Sequence, residues 1–349
     1  MNTIDRLKSL ITKPEQPSLE TLATAERARR EQAGDRRDLR RALKRIDELE
    51  ADASVHARFA TTPIAPVEHA VLSEGRRPAA AVALLSDVHA EEGVIATPAI
   101  HNSYSIEIAR QRVARFFAGL QWLIAHAQAH AFDIGTLVLW LGGDLISGDI
   151  HEELLETCSM RPIDAALMVR DWIIAGVQQL LVELPGIQLI VPCSCGNHAR
   201  TTKRVRPSTG AGHNLESVIY ENVAREFAAN DRVQICITPD EMQYVEVLGY
   251  TLAFHHGHRM RYSGGIGGIT IPAIKAMHRW QQWRECDYYH FGHFHTRIDL
   301  GQIAFNGSVI GPNPYALSIG AAPERPQQSF YVLDAKRGKT MCCPIWVEE

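Results

Sequence analysis

Long apolar runs are missing from this 349-residue chain. None approaches the ~20 residues that cross a bilayer, and residues 1–16 hold no continuous apolar core of signal-peptide length. The expectation is a chain without a membrane partner, working in the cytoplasm. Cysteine is sparse as well. There are seven, an odd number, and Cys193, Cys195, Cys342 and Cys343 lack the paired C-x-x-C spacing of a zinc ribbon. Reduced, mostly buried thiols are expected instead of a disulfide framework. Excess positive charge is also lacking: the formal net charge is -4. Nucleic acid cannot then be held by bulk charge alone, and any basic contact must be local. No internal repeat is visible. What is plentiful is apolar side chain, 46% of the sequence, enough for one large domain plus an appendage or for two domains.

Proline is absent from about residue 18 to 53, where Ala, Arg, Glu and Leu dominate, and the composition predicts one long helix with a weak point at Gly34. Arg36, Arg37, Arg40, Arg41, Lys44 and Arg45 recur at helical neighbour spacing, while Leu39, Leu43 and Ile46 take another face. Leu39, Ala42, Ile46 and Leu49 fit a 3-4-3 seam, but over about two heptads, short of the three or four a coiled coil needs. A solvated helix packed on the body or on a second subunit is therefore favoured over a dedicated nucleic-acid arm. Residues 61–78, with Pro63, Pro66 and Pro78, read as a linker. The expected division is a helical N-terminal extension and linker over 1–78 and a catalytic body over 79–349.

In the body, short apolar runs alternate with helical stretches and then cluster, which predicts an α/β core of two sheets covered by helices. The run Ala81-Val82-Ala83-Leu84-Leu85 reads as a buried strand that ends at once in Ser86-Asp87-Val88-His89. A carboxylate and an imidazole thus stand at a strand's carboxyl end, where ligands bind in open α/β sheets. The same placement recurs. Asp144 follows a strand at 136–141, Asn197 and His198 follow one at 187–192, His256 follows one at 251–255, and His293 and His295 follow one at 288–291. Imidazoles mixed with carboxylates and an amide oxygen suit Mn2+, Fe or Zn2+ better than Ca2+. The donors are too many for one ion and fit two that share a bridging carboxylate. His255 rivals His256 for its role, although strand alternation turns the two to opposite faces. His126 and His130 have the spacing of a zinc-protease helix without its glutamate, and read as surface or packing residues.

Taken in order, Asp87-Val88-His89, Gly143-Asp144, Gly196-Asn197-His198, His256-Gly257-His258 and Gly292-His293-Phe294-His295 resemble the five blocks of the calcineurin-like metallophosphoesterases, near the DNA-repair exonuclease-like members. The resemblance covers roughly residues 81–305. It implies a four-layer α-β-β-α sandwich, here with the N-terminal helical extension, and hydrolysis of a phosphate ester by metal-activated water. It also implies that Asp87, His89 and His295 hold one divalent transition-metal ion, Mn2+ first with Fe or Zn2+ as alternatives, and that Asn197, His256 and His293 hold a second. Asp144 would bridge the two, and His198 would act on the phosphate as the catalytic residue. The sequence departs from the family after His198, where many members carry an acidic residue and Ala199 stands here. The orientation of His198 is therefore left open.

Two basic clusters follow the ligands: Arg200, Lys203, Arg204 and Arg206 after His198, and His258, Arg259 and Arg261 after His256. They are candidate phosphate contacts, weighed against ordinary loop charge. The glycine-rich run 263–268 could offer backbone amides to a phosphate or simply open a helix. Gly338-Lys339-Thr340 mimics the end of a phosphate loop, but Leu333 stands where its first glycine belongs. The expected function is a phosphodiesterase or nuclease acting on DNA or RNA. A phosphomonoesterase, or a hydrolase of nucleotides, cyclic nucleotides or phosphoproteins, is the alternative within the chemistry. From another class, the alternative is a non-catalytic, metal-stabilised binding protein. Self-association through the N-terminal helix is a further expectation.

Overall fold

A computed structural model of the chain describes residues 18–61, 75–260 and 268–348. The chain divides into two compact units, Met1–Ser73 and Glu74–Glu349. The first contains helix α1, Leu19–Thr61, which runs through Gly34 and eight residues past the expected end. Its Leu39, Leu43, Ile46 and Leu49 are exposed, and Lys44 and Arg45 both reach Glu48, at 4.0 and 3.1 Å. Most of the expected linker lies outside the described residues. Pro78, taken as part of it, already stands in a strand, at the start where its missing N–H costs least.

In the second unit the order is β1 Arg77–Leu85, α2 Ile106–His130, β2 Phe132–Leu141, α3 Leu154–Thr157, α4 Pro162–Glu183, β3 Gln188–Pro192, α5 Leu215–Glu226 and β4 Val233–Cys236. Then follow β5 Gln243–Val247, β6 Tyr250–His255, α6 Thr270–Trp280, β7 Tyr288–Phe291, β8 Ile298–Asp299, β9 Ile303–Phe305, α7 Pro314–Ser318, β10 Gln327–Asp334 and β11 Gly338–Trp346. One sheet has the order β11-β10-β1-β2-β3-β4, the other β5-β6-β7-β9-β8. Strands β1 to β4 are mutually parallel, as are β6, β7 and β9.

The alternation of β1 shows how the layers form. Ala79, Ala81, Ala83 and Leu85 face the core shared with α2, α4 and α5, while Ala80, Val82 and Leu84, with Tyr331 of neighbouring β10, face Leu252 and Phe254 of the second sheet. A strand buried on both faces has no polar side to show, so it reads as one apolar run. On the outer face of the second sheet, Ala253, Tyr289 and Phe291 pack under Ala273 and Met277 of α6. The result is an α-β-β-α sandwich.

Among the described residues one helix, α4, is long and apolar enough by length and composition to cross a membrane, although Asp164, Arg170 and Asp171 interrupt its apolar run. Its Ala165, Val169, Ile173, Val177 and Leu180 are buried in the core against the first sheet. All seven cysteines are free, but only Cys193 and Cys286 are buried; Cys342 is exposed and the rest are half-buried, fewer buried thiols than expected.

Parallel strands in register put their carboxyl ends at one level. Leu85 of β1 pairs with Leu141 of β2, and His255 of β6 with Phe291 of β7. The segments that leave these strands therefore meet at one end of the sandwich.

Candidate metal centre

The chain leaves its strands through tight turns, and the bends fall on the candidate ligands themselves. φ is +54° at Asp87, +51° at His89, +49° at Asp144, +70° at His293 and +51° at His295. Such a conformation costs a non-glycine residue ~1–3 kcal/mol and persists only where the surroundings over-determine it. Here they do. Asp87 N donates to Gly143 O at 3.0 Å, and Val88 N and His89 N both donate to Asp144 O, at 2.9 and 3.1 Å. Two glycines of the motif blocks are explained by carboxylates: a Cβ on Gly196 would collide with Asp144, and one on Gly292 would lie 2.6 Å from Asp87 Oδ2.

The donor atoms of Asp87, His89 and His295 lie within 4.8 Å of one another, and so do those of Asp144, His256 and His293. A third group of the same tightness joins His89 and Asp144 to His198. Each group can hold a divalent cation. The chemistry of the donors agrees, since His89 Nε2 and Asn197 Oδ1 are buried without a hydrogen-bond partner, and His256 Nε2 faces only the Asp144 carboxylate, at 2.9 Å. A buried polar atom left unpaired costs about 1–3 kcal/mol, and a metal ion is the partner that imidazole nitrogens and an amide oxygen jointly suit. The opposite ring nitrogen is tied in each case. His256 Nδ1 lies 2.7 Å from Gly142 O, which can only accept, so in the neutral ring the proton is on Nδ1 and Nε2 offers its lone pair. His89 Nδ1 lies 2.9 Å from Ser147 Oγ, which in turn donates to Glu92 Oε2 at 2.8 Å. This is the supporting shell expected behind metal-binding imidazoles.

The electrostatics point the same way. Burial raises the Asp87 carboxyl, but His295 beside it, at 3.3 Å from Oδ1, wins and holds it low. Asp144 is likewise pulled well below the usual range against burial, chiefly by His256. In return His256, opposed by its own burial, is lifted to about 10 by Asp144. His89 and His293 are pushed down by burial and by neighbouring imidazoles, His293 to about 3. Each carboxylate thus draws positive charge to itself, and a cation would take the place of the proton.

His198 N donates to Asp144 Oδ1 at 2.8 Å, and its Nδ1 faces Ser147 O at 3.1 Å. That carbonyl fixes the ring in this chain, while Ala199 is buried in the apolar core, no place for an acid. His255 accepts from Gly257 N at 2.8 Å through Nδ1 and joins none of the metal groups. His126 and His130 are exposed, as read from the sequence.

The basic residues fare differently. Arg200 is half-buried and donates to Asn197 O at 2.5 Å and to Thr202 O at 3.1 Å, bracing the loop that carries the ligand. Lys203, Arg204 and Arg206 are exposed on that loop. Arg259 is engaged by Glu241 through three contacts of 2.5 to 3.0 Å, a partner that reading it as a free cation did not count. The His258 side chain is only 7% exposed, 3.7 Å from Glu241, with both ring nitrogens unpartnered. Arg261 and residues 263–267 of the glycine-rich run lie outside the described residues.

Several supporting residues gave no signal in the sequence. Glu216, fully buried and raised to about 8 by burial and then by Asp144, accepts from Leu145 N and from Gly196 N, each at 2.6 Å. It clamps the turn after β2 to the turn after β3. Behind Asp87, Ser86 Oγ donates to Oδ2 at 2.5 Å and Ser86 N donates to Gln328 Oε1 at 2.9 Å. His151 is 5.7 Å from His198, ring to ring.

No protein-family model matches the chain, and no curated protein does. Solved structures do. Vps29 of Entamoeba histolytica, complexed with Zn2+, is 13% identical, with 77% of this chain and 99% of that one covered and a TM-score of 0.31. A predicted phosphoesterase of Streptococcus pneumoniae TIGR4 is 11% identical, with 76% and 97% covered and a TM-score of 0.27. A hypothetical protein of Pyrococcus horikoshii OT3 is 11% identical, with 77% and 89% covered and a TM-score of 0.37. Likenesses this weak leave the centre to be read from its own geometry. The α-β-β-α sandwich and the five motif blocks at its strand ends make the chain similar to the calcineurin-like metallophosphoesterases.

Proposed function

We propose that the chain is a two-metal hydrolase of phosphate esters, acting in the cytoplasm on the phosphodiester bonds of DNA or RNA. The observation that carries this is the pair of donor groups, each with its own carboxylate and two imidazoles, meeting around Asp144. Two bound divalent ions would supply a water activated at neutral pH and charge stabilisation at phosphorus. The rest falls to the chain. Asp144, held by the backbone N–H of His198, keeps the two groups together. His198, anchored through Nδ1 on Ser147 O, has Nε2 left for moving a proton to the leaving oxygen. The exposed Lys203, Arg204 and Arg206 beside it favour a substrate with several phosphates.

The test is a panel of small phosphodiester and phosphomonoester dyes, cyclic nucleotides, DNA and RNA, assayed with Mn2+. Turnover of the diester dye and cleavage of nucleic acid are expected, both abolished by a chelator. Monoester turnover without nucleic-acid cleavage would overturn the substrate. No turnover by folded, metal-loaded protein would favour the binding-protein reading.

A further inference from the structure

Helix α6 buries one face and leaves the other bare. Ala273 and Met277 pack on the second sheet, and Trp280 leans on His255 and Phe291. The outer face carries Ile271, Lys275, His278 and Arg279, all exposed, and the turn beyond it ends in Trp283, 88% exposed. Between this helix and the turn that follows metal-ligand candidate His256 runs a groove of about 580 Å3, lined by Arg259, Met260, Ile271, Lys275, Arg279 and Trp280 among others. Among the described residues three cations line it and no carboxylate does, in a chain of net charge -4. Glu241 occupies Arg259. Among the described residues nothing occupies Lys275 or Arg279.

We propose that this groove and the exposed face of α6 form a track for single-stranded nucleic acid leading to the metal centre. Lys275 and Arg279 take successive phosphates and Trp283 stacks on a base. The inference rests on reading the centre as a phosphodiesterase. Lys275 and Arg279 stand four residues apart on α6, a rise of about 6 Å along the helix, on the scale of neighbouring phosphates in an extended strand, and Trp283 follows in the turn beyond. A cationic groove with aromatics nearby, here Trp280 in its lining and the exposed Trp283 three residues on, is the arrangement by which single strands are held without sequence preference. A flat anionic membrane reaches cations in a groove poorly, whereas a flexible strand follows them.

The full-length protein and its Lys275→Ala/Arg279→Ala/Trp283→Ala variant should be compared with a fluorescent phosphorothioate oligothymidylate, by anisotropy across a salt series. The variant is expected to bind about tenfold or more weakly. The slope of log affinity against log salt should shrink by about 1.4, two phosphate contacts at about 0.7 each. Hydrolysis of a small diester dye should be unchanged, because these side chains stand outside the metal groups. Equal affinity and slope in both proteins would overturn the track, as would no binding by the unaltered protein. A loss confined to anionic lipid vesicles would overturn it in favour of a membrane surface. If the variant loses the strand while neither protein hydrolyses the dye, the track stands and the reading of the centre as a phosphodiesterase fails.

Discussion

At Asp144 several demands fall on one residue. Its carbonyl accepts from two amides of the turn after β1, Oδ1 accepts from His198 N, and Oδ2 lies 2.9 Å from His256 Nε2. His198 by contrast touches the centre from one side. The two substitutions should therefore part company. His198→Ala is expected to keep its metal and lower kcat by about 10²–10⁴-fold, most for substrates with poor leaving groups. Asp144→Ala should lose metal itself, and equal metal loss in both variants, by elemental analysis, would contradict the roles. The ligand candidates were legible because each block is a few residues long and sits beside glycine or another small residue. Their supports were not, since contacts made by folding leave no spacing in the chain. Glu216 is 71 residues from Leu145, and Gln328 is 242 from Ser86. Arg259 read as a free cation for the same reason, with Glu241 18 residues away.

Among the elements, those with a continuous apolar signal were legible and those with buried polar residues were not. The strand ending at Phe291 was read to the residue. Strand β2 starts four residues before its apparent apolar run, because Asp133 and Gly135 interrupt the pattern. Strand β10 opens with Gln327, Gln328 and Ser329, all buried, a polar start that carries no strand signal because their partners lie in distant loops. The middle of β7 hides a polar residue of its own. His290 is sealed between the sheets, against Phe254 and Tyr331, with Nδ1 donating to Ala253 O at 3.0 Å and Nε2 accepting from Tyr331 Oη at 2.9 Å. Burial pushes its basicity down to about 3, so the unfolded chain binds a proton that the folded one refuses between about pH 6.5 and 3. Stability is then full above that window and falls as pH drops through it, by up to about 1.4 kcal/mol per pH unit. Urea titrations across pH should show His290→Phe with a shallower fall; an unchanged slope would place the acid sensitivity elsewhere.

For the whole molecule, the order of the blocks along the chain was plain, but not that the first three close one sheet and the last two the other. The register of parallel strands decides that, and it brings Asp87 of one sheet against the His293 amide of the other, at 3.0 Å. The four layers exist in effect to hold those two strand-end clusters face to face. The account stands or falls on whether that junction takes two ions. Anomalous scattering from crystals grown with Mn2+, paired with elemental analysis of the same protein, measures it directly. The account predicts two ions per chain, one by Asp87, His89 and His295 and one by Asn197, His256 and His293, with Asp144 touching both. A single ion at full occupancy, with Asn197 and His256 unliganded, would contradict it.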